Sequence, residues 1–268
     1  MSDPSTARPI APPGARPGAQ GEYDLKGRVA VISGGSSGIG AATARRLAAG
    51  GAIVWVGYNT GDDRAAAVVA SLPGGGHQTL HLPITNSAAL AAAAARVRAA
   101  HGKLDILVNS AAVTRAVKHD DLDGLDDALF DLVLITNVRG PFATIRAFRP
   151  LLAASGDAVI LNISSLAGIS GTGSSIAYGA SKAALDVMGV SLARVLGPEI
   201  RVVGISPSAV ATDFVPGRGR EIVERSAATA PLRIVTEADD IALAAIGIIT
   251  TLRQTTGTTI LVDAGKHL

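Results

Sequence analysis

Short apolar runs alternate along the chain with longer stretches in which apolar residues recur at helical spacing. Residues 28–32, 53–57, 79–82, 104–108, 158–163, 201–206 and 257–265 predict strands. Residues 41–50, 63–72, 88–100, 126–150, 238–252 and the segment carrying Tyr178 predict helices. Several strand runs, such as Val29-Ala30-Val31-Ile32, are apolar without alternation, as in strands covered on both faces. Strand and helix taking turns throughout implies an α/β fold, a single doubly wound parallel sheet with helices on both faces. The fold is expected to occupy residues 23–268 as one domain, with no room for a separate substrate domain. Residues 1–22 hold five of the 13 Pro and no apolar period, and read as a disordered extension. Residues 213–235 contain Pro216, Gly217, Gly219 and Pro231 and read as a mobile lid.

Composition narrows the class of molecule. Hydrophobic residues make up 48% of the chain and aromatic residues 3%, so the core must be packed with Ala, Val, Leu and Ile. The 24 basic and 22 acidic side chains are interspersed, and no basic block with interleaved aromatics points to nucleic acid. Without Cys there is no disulfide, thiolate nucleophile or Cys-ligated metal, and a cytoplasmic location is expected. His77, His81, His101, His119 and His267 make no convincing ligand cluster, so no metal is expected. The best apolar run, 241–252, is short for a membrane span, and the N-terminal segment lacks the apolar core of a secretory signal.

Three patterns carry chemistry. The first strand leads into Ser33-Gly34-Gly35-Ser36-Ser37-Gly38-Ile39-Gly40 and then a helix, the setting of a phosphate-binding loop. Gly34 suits the turn, Gly38 a close backbone approach to pyrophosphate, and Gly40 close helix-to-strand packing, with the helix N-terminus facing the anion. Ser36, Ser37 and Ile39 belong to the same candidate site. Tyr178 and Lys182 are four apart, so a helix places them on one face, where an ammonium would favour phenolate and tune the phenol for proton exchange. Such pairs also arise by chance on ordinary helices, and the assignment needs its neighbours. Asn137 lies within an apolar helical stretch, where its amide is costly unless it finds partners.

The spacing Gly34-x-x-x-Gly38-x-Gly40, followed by Ser165 and Tyr178-x-x-x-Lys182, resembles the classical short-chain dehydrogenase/reductase family from about residue 25 to residue 268. The resemblance implies a Rossmann-type sheet and a nicotinamide cofactor. It selects Ser165, thirteen residues before Tyr178, to hold the substrate oxygen, leaving Ser164 structural. It makes Asn137 the bend that holds a water linking Lys182 to solvent. Asn109 and Ala111 match the segment that backs the cofactor ribose, while Ser110 and Ala112 depart from it. Pro207, Val210 and Thr212 match the nicotinamide end of the site, with Ser208 a departure. Tyr58 and Asn59 end the second strand where an NAD-specific member carries an acid, so NADP(H) is favoured over NAD(H). Asp62 and Asp63 read as helix-start residues, and Ser37 stands where many NADP-dependent relatives have Arg. Pro83 replaces an adenine-contacting Asp, leaving Ile84 and backbone for that contact.

These features predict an oxidoreductase moving hydride between nicotinamide and a carbonyl or secondary alcohol, with Tyr178 as proton donor, Ser165 positioning the oxygen, Lys182 lowering the Tyr178 pKa and holding ribose hydroxyls, and Asn137 completing a relay. The pattern most resembles the 3-oxoacyl-carrier-protein reductase type, then sugar or polyol dehydrogenases. Arg218, Arg220 and Arg225 in the lid would suit an acidic carrier protein or a solvated face. The family implies a homotetramer. A non-catalytic dinucleotide-binding regulator is the competing class, and a serine hydrolase lacks its Gly-x-Ser-x-Gly elbow.

Overall fold

The computed structural model describes residues 23–268, so the expected N-terminal extension lies outside the described residues. Seven strands alternate with helices: β1 Val29–Ser33, α1 Gly38–Ala49, β2 Ile53–Tyr58, α2 Asp62–Ser71, β3 Gln78–His81, α3 Ser87–His101 and β4 Ile106–Asn109. The chain continues with α4 Asp127–Leu134, a π-helical turn Ile135–Arg139, α5 Gly140–Ser155, β5 Ala158–Ile163, α6 Ala167–Ser170 and α7 Ile176–Leu196. It closes with β6 Ile200–Pro207, α8 Arg220–Ala228, α9 Ala238–Thr250 and β7 Thr258–Val262. All pairings are parallel, in the order β3-β2-β1-β4-β5-β6-β7.

Period-two alternation divides β1, β2, β4, β5 and β6 between two cores. Ala30 and Ile32 of β1 pack with α1 and α9 residues such as Leu47 and Ile241, while Val29 and Val31 pack with α3 and α5 residues such as Leu90 and Phe148. Both faces are therefore covered, which is why the strands read as unbroken apolar runs. The strand order reverses between β1 and β4, and the loops leaving their C-terminal ends part to opposite faces. That crevice is where ligands settle in open α/β sheets.

The helix expected over 126–150 divides at the π turn and runs on to Ser155, through Pro150. Leu151 and Leu152, both buried, hold the extra turn in the core, and their burial outweighs the helix-breaking tendency of Pro150. The run Asp127–Ser155 is long and apolar enough to cross a membrane, at a mean hydropathy of 1.3, yet half of that window is buried in the fold. Core packing accounts for its apolarity. The lid segment is not structureless either, since α8 forms within it and buries Val223 and Ala227.

Asp105, 1% exposed, ties together the N-terminal ends of the central strands, opposite the crevice. It accepts from the Val29 N–H at 2.8 Å, Ser155 Oγ at 2.7 Å, Lys103 Nζ at 3.1 Å and Arg28 Nη1 at 3.3 Å. Burial pushes its pKa up, but the bonds from Ser155, Val29 and Lys103 outweigh burial and the net shift is downward. A depressed folded pKa gives stability that is present above the unfolded value of about 3.9 and is lost as pH falls through the folded value. Asp105→Asn is expected to cost about 3 kcal/mol at neutral pH in urea unfolding. The gap to the wild type should close as pH drops below about 4.

Candidate active site

The turn after β1 is built from glycines that no other residue could replace cheaply. Gly34 has φ +67°, and a Cβ there would lie 2.8 Å from the Ala111 backbone. A Cβ on Gly40 would lie 2.2 Å from the Gly34 carbonyl oxygen. Ser37 begins α1 without capping it through its side chain, so no side-chain oxygen occupies the first-turn N–H groups. A cradle closed by backbone, opening on an uncapped helix N-terminus, fits a pyrophosphate. Gly34, Ser36, Ser37, Gly38 and Ile39 line the crevice, whereas Gly40 sits beneath it as packing.

The second cluster is positioned by α6 and α7. Ser175 starts α7 by accepting from the Tyr178 N–H at 3.3 Å, fixing Tyr178 in the first turn. Gly168 and Gly179 let the two helices meet: added Cβ atoms would lie 2.7 Å from Ala183 N and 3.1 Å from the Ala167 carbonyl oxygen. The Ser165 hydroxyl, at the exit of β5, accepts from the Ala167 N–H at 3.2 Å and lies beside the Tyr178 phenol, whose pKa it draws down. Both line the crevice with Lys182. Ser164, also on the crevice wall but buried, donates to the Lys182 carbonyl at 3.4 Å.

Lys182 is 3% exposed, donates from Nζ to the Ile163 carbonyl at 2.7 Å, and lies 5.6 Å from the Tyr178 ring centroid. Burial pulls its pKa down to about 8, with Asp186 opposing. The phenol departs from the sequence expectation of a lowered pKa. Burial pushes Tyr178 up to about 12, and the Ser165 hydrogen bond and the Arg218 charge only partly oppose it. Desolvation outweighs any help from an ammonium already engaged by a carbonyl, so the phenol holds its proton, the form a proton donor needs.

Asn137 falls in the π turn behind this cluster, outside the crevice. Its Oδ1 accepts from the Val113 N–H at 2.8 Å, and its Nδ2 donates to the Val113 carbonyl at 3.0 Å and to Ser181 Oγ at 3.1 Å. The amide is satisfied by these partners, which resolves its cost in an apolar helix. Asn109 is likewise buried, joining β4 to β5 through Nδ2 and Asn162 Oδ1 at 2.9 Å, while Ala111 reaches the crevice.

The crevice is a continuous cavity of about 1140 Å³ running from Tyr58 and Asn59 past the Gly-rich turn to Tyr178. Pro207, Val210 and Thr212 line it from the β6 side, and Ile84 from the β3 side. Two cationic side chains on its wall escaped the sequence reading of the cofactor site. Arg64, in the first turn of α2, folds back over Gly61, where an added Cβ would meet its Nη2 at 2.6 Å. Arg139 lines the wall and donates to the Thr85 carbonyl at 3.3 Å. A basic residue six positions beyond the end of β2 has no fixed spacing to signal its role, because the intervening loop sets where it points.

The family described as Enoyl-(Acyl carrier protein) reductase matches residues 34–267. Ketoacyl reductase 2 named for the granaticin polyketide synthase of Streptomyces violaceoruber is 34% identical, covering 90% of this chain and 96% of its own. D-threitol dehydrogenase of Mycolicibacterium smegmatis is 36% identical over 72% of this chain and 74% of its own. Among solved structures, a short-chain dehydrogenase of Burkholderia cenocepacia in complex with NADP superposes with a TM-score of 0.82 at 33% identity, covering 92% of this chain and 100% of its own. A 3-ketoacyl-(acyl-carrier-protein) reductase of Brucella melitensis complexed with NADH gives 0.83 at 29% identity, covering 91% and 100%. With the phosphate cradle and the Ser165, Tyr178 and Lys182 cluster on one crevice, the chain belongs to the short-chain dehydrogenase/reductase family, as an NAD(P)-dependent oxidoreductase acting between a carbonyl and a secondary alcohol.

Proposed function

We propose that this enzyme works as an NADPH-dependent reductase of small ketones, in the cytoplasm and as a homotetramer. The observation that carries the cofactor choice is Arg64 on the cavity wall beside Tyr58 and Asn59, with no carboxylate at the end of β2. A guanidinium there favours a 2′-phosphate, and Asp62 and Asp63 are spent on the α2 N-terminus. The bound nicotinamide would supply the hydride. Tyr178 then gives its proton to the carbonyl oxygen while Ser165 holds that oxygen, and the Lys182 ammonium stabilises the phenolate left behind. Reprotonation passes by way of Lys182. Because the Asn137 amide is occupied, its part in a relay is to hold the π turn open, so that backbone carbonyls there can bind water.

Association of copies is supported by apolar side chains left exposed on α4, α5 and α7, including Leu132, Phe142, Val187 and Val195. A carrier-linked acyl substrate is the second reading, favoured by the named activities of the ketoacyl reductase relatives. The lid offers it less basic surface than the sequence suggests, because Arg220 pairs with Glu224 and Glu237 and Arg218 turns inward.

Arg64→Ala tests the cofactor assignment. Fluorescence titration should show NADPH binding weakened by about 10- to 100-fold, with NADH changed by less than about threefold. Equal weakening of both, or none, would remove Arg64 from the phosphate site, and tighter NADH binding by the wild type would reverse the assignment.

A further inference from the structure

Between β6 and α8 the chain makes a turn in which the Arg218 N–H bonds the Val215 carbonyl at 3.1 Å, Val215 being buried and Gly217 having φ +77°. The turn sends the Arg218 side chain back toward the sheet. Its Nη2 donates to the Val210 carbonyl at 3.1 Å, and the guanidinium lines the same cavity as Ser165 and Tyr178. Phe214, four residues earlier, sets its ring 5.8 Å from that of Tyr178. Nε of Arg218 is enclosed and has no acceptor.

The charges around the cavity are unbalanced. Among the described residues, Arg64, Arg139, Lys182 and Arg218 reach it, against the single carboxylate of Asp213, which is exposed. Arg64 and Arg139 belong to the α2 and β3 end, and Lys182 is taken up by Ile163. Arg218 therefore stands at the reacting end as a half-buried cation with a carbonyl, rather than a carboxylate, for its recorded partner. Burial draws its pKa down. A desolvated guanidinium with a spare donor invites an anion, and its planar fork matches a carboxylate in two parallel bonds.

We propose that Arg218 anchors a carboxylate of the substrate, so that the enzyme's preferred ketones are free oxo acids, held with the carbonyl against Ser165 and Tyr178 and the carboxylate against the lid. This deepens, and rests on, the ketone-reductase reading above. The ester or thioester of the same acid has no charge to offer and loses the anchor.

The test pairs 2-, 3-, 4- and 5-oxohexanoate with their methyl esters at saturating NADPH, because the carboxylate-to-carbonyl distance is thereby varied. The expected result is that at least one acid exceeds its ester in kcat/KM by about 100-fold, chiefly through KM. Arg218→Gln should bring that ratio to within about threefold of unity, and Arg218→Lys should keep an intermediate ratio, since the charge survives without the fork. Esters equal to acids throughout, or a ratio that persists in Arg218→Gln, would overturn the inference. Calorimetric titration of the same compounds onto the enzyme–NADPH complex separates the two claims. Acids preferred through Arg218 without turnover would uphold the anchor and sink the reductase reading, and turnover without an acid preference would do the reverse.

Discussion

Replacing Tyr178 by Phe is expected to lower kcat for ketone reduction by about 10³-fold while leaving NADPH affinity within about twofold. The ring would remain against Phe214, and only the hydroxyl beside Ser165 would be lost. Since burial pushes its pKa up to about 12, the phenol is neutral and carries its proton at any working pH. Without it the developing alkoxide has Ser165 alone, whose hydroxyl is too weak an acid to complete the transfer. Steady-state rates and cofactor titrations on the same preparation check both halves. Full activity in the Phe variant would refute the proton-donor role, and loss of cofactor binding would mean the hydroxyl serves the cofactor site rather than proton transfer.

Gly40→Ala should be the most damaging single methyl in the chain. The new Cβ would sit 2.2 Å from the Gly34 carbonyl oxygen, 2.9 Å from the Gly34 carbonyl carbon and 3.1 Å from Gly35 Cα, all backbone. No side chain can swing away, so α1 and the turn must separate. Overpacking of this kind costs about 1–3 kcal/mol, equivalent to a fall in Tm of about 5 °C for a domain of this size. The displaced turn also loses its aim at the pyrophosphate, and NADPH affinity should drop by about 100-fold. Gly38→Ala provides the contrast, because its Cβ would meet only Thr212 at 3.6 Å and its cost is the strain of φ +50°. Thermal melts of the two variants should separate close packing from backbone strain, with Gly40→Ala the lower; equal melting of both would contradict this reading.

The parts of the molecule that were legible in the sequence are those fixed by local pattern. Unbroken apolar runs form strands because both sheet faces are covered, and the Gly spacing marks the cradle because no Cβ fits at Gly34 or Gly40. The four-residue spacing of Tyr178 and Lys182 did place them together, within α7. What failed depends on three-dimensional surroundings. Helix α5 outlasts Pro150 because Leu151 and Leu152 reach the core, and the rise in the Tyr178 pKa comes from burial that no spacing reveals. Sequence reasoning misses Arg64, and assigns Arg218 to an acidic carrier or a solvated face, for a related reason: each lies in or beside a loop, where the turn and not the residue count decides whether a cation faces solvent or cavity.

The claim at the centre of this account is hydride delivery to a ketone at the Ser165–Tyr178 pair. NADPH carrying deuterium at both C4 positions of its nicotinamide, incubated with the wild-type enzyme and the oxohexanoate series, tests it by mass spectrometry of the product. The account predicts a hydroxy acid with one deuterium on the carbinol carbon, formed by the wild type and about 10³-fold more slowly by Tyr178→Phe. Cofactor binding with no label on that carbon, from any member of the series, would contradict it.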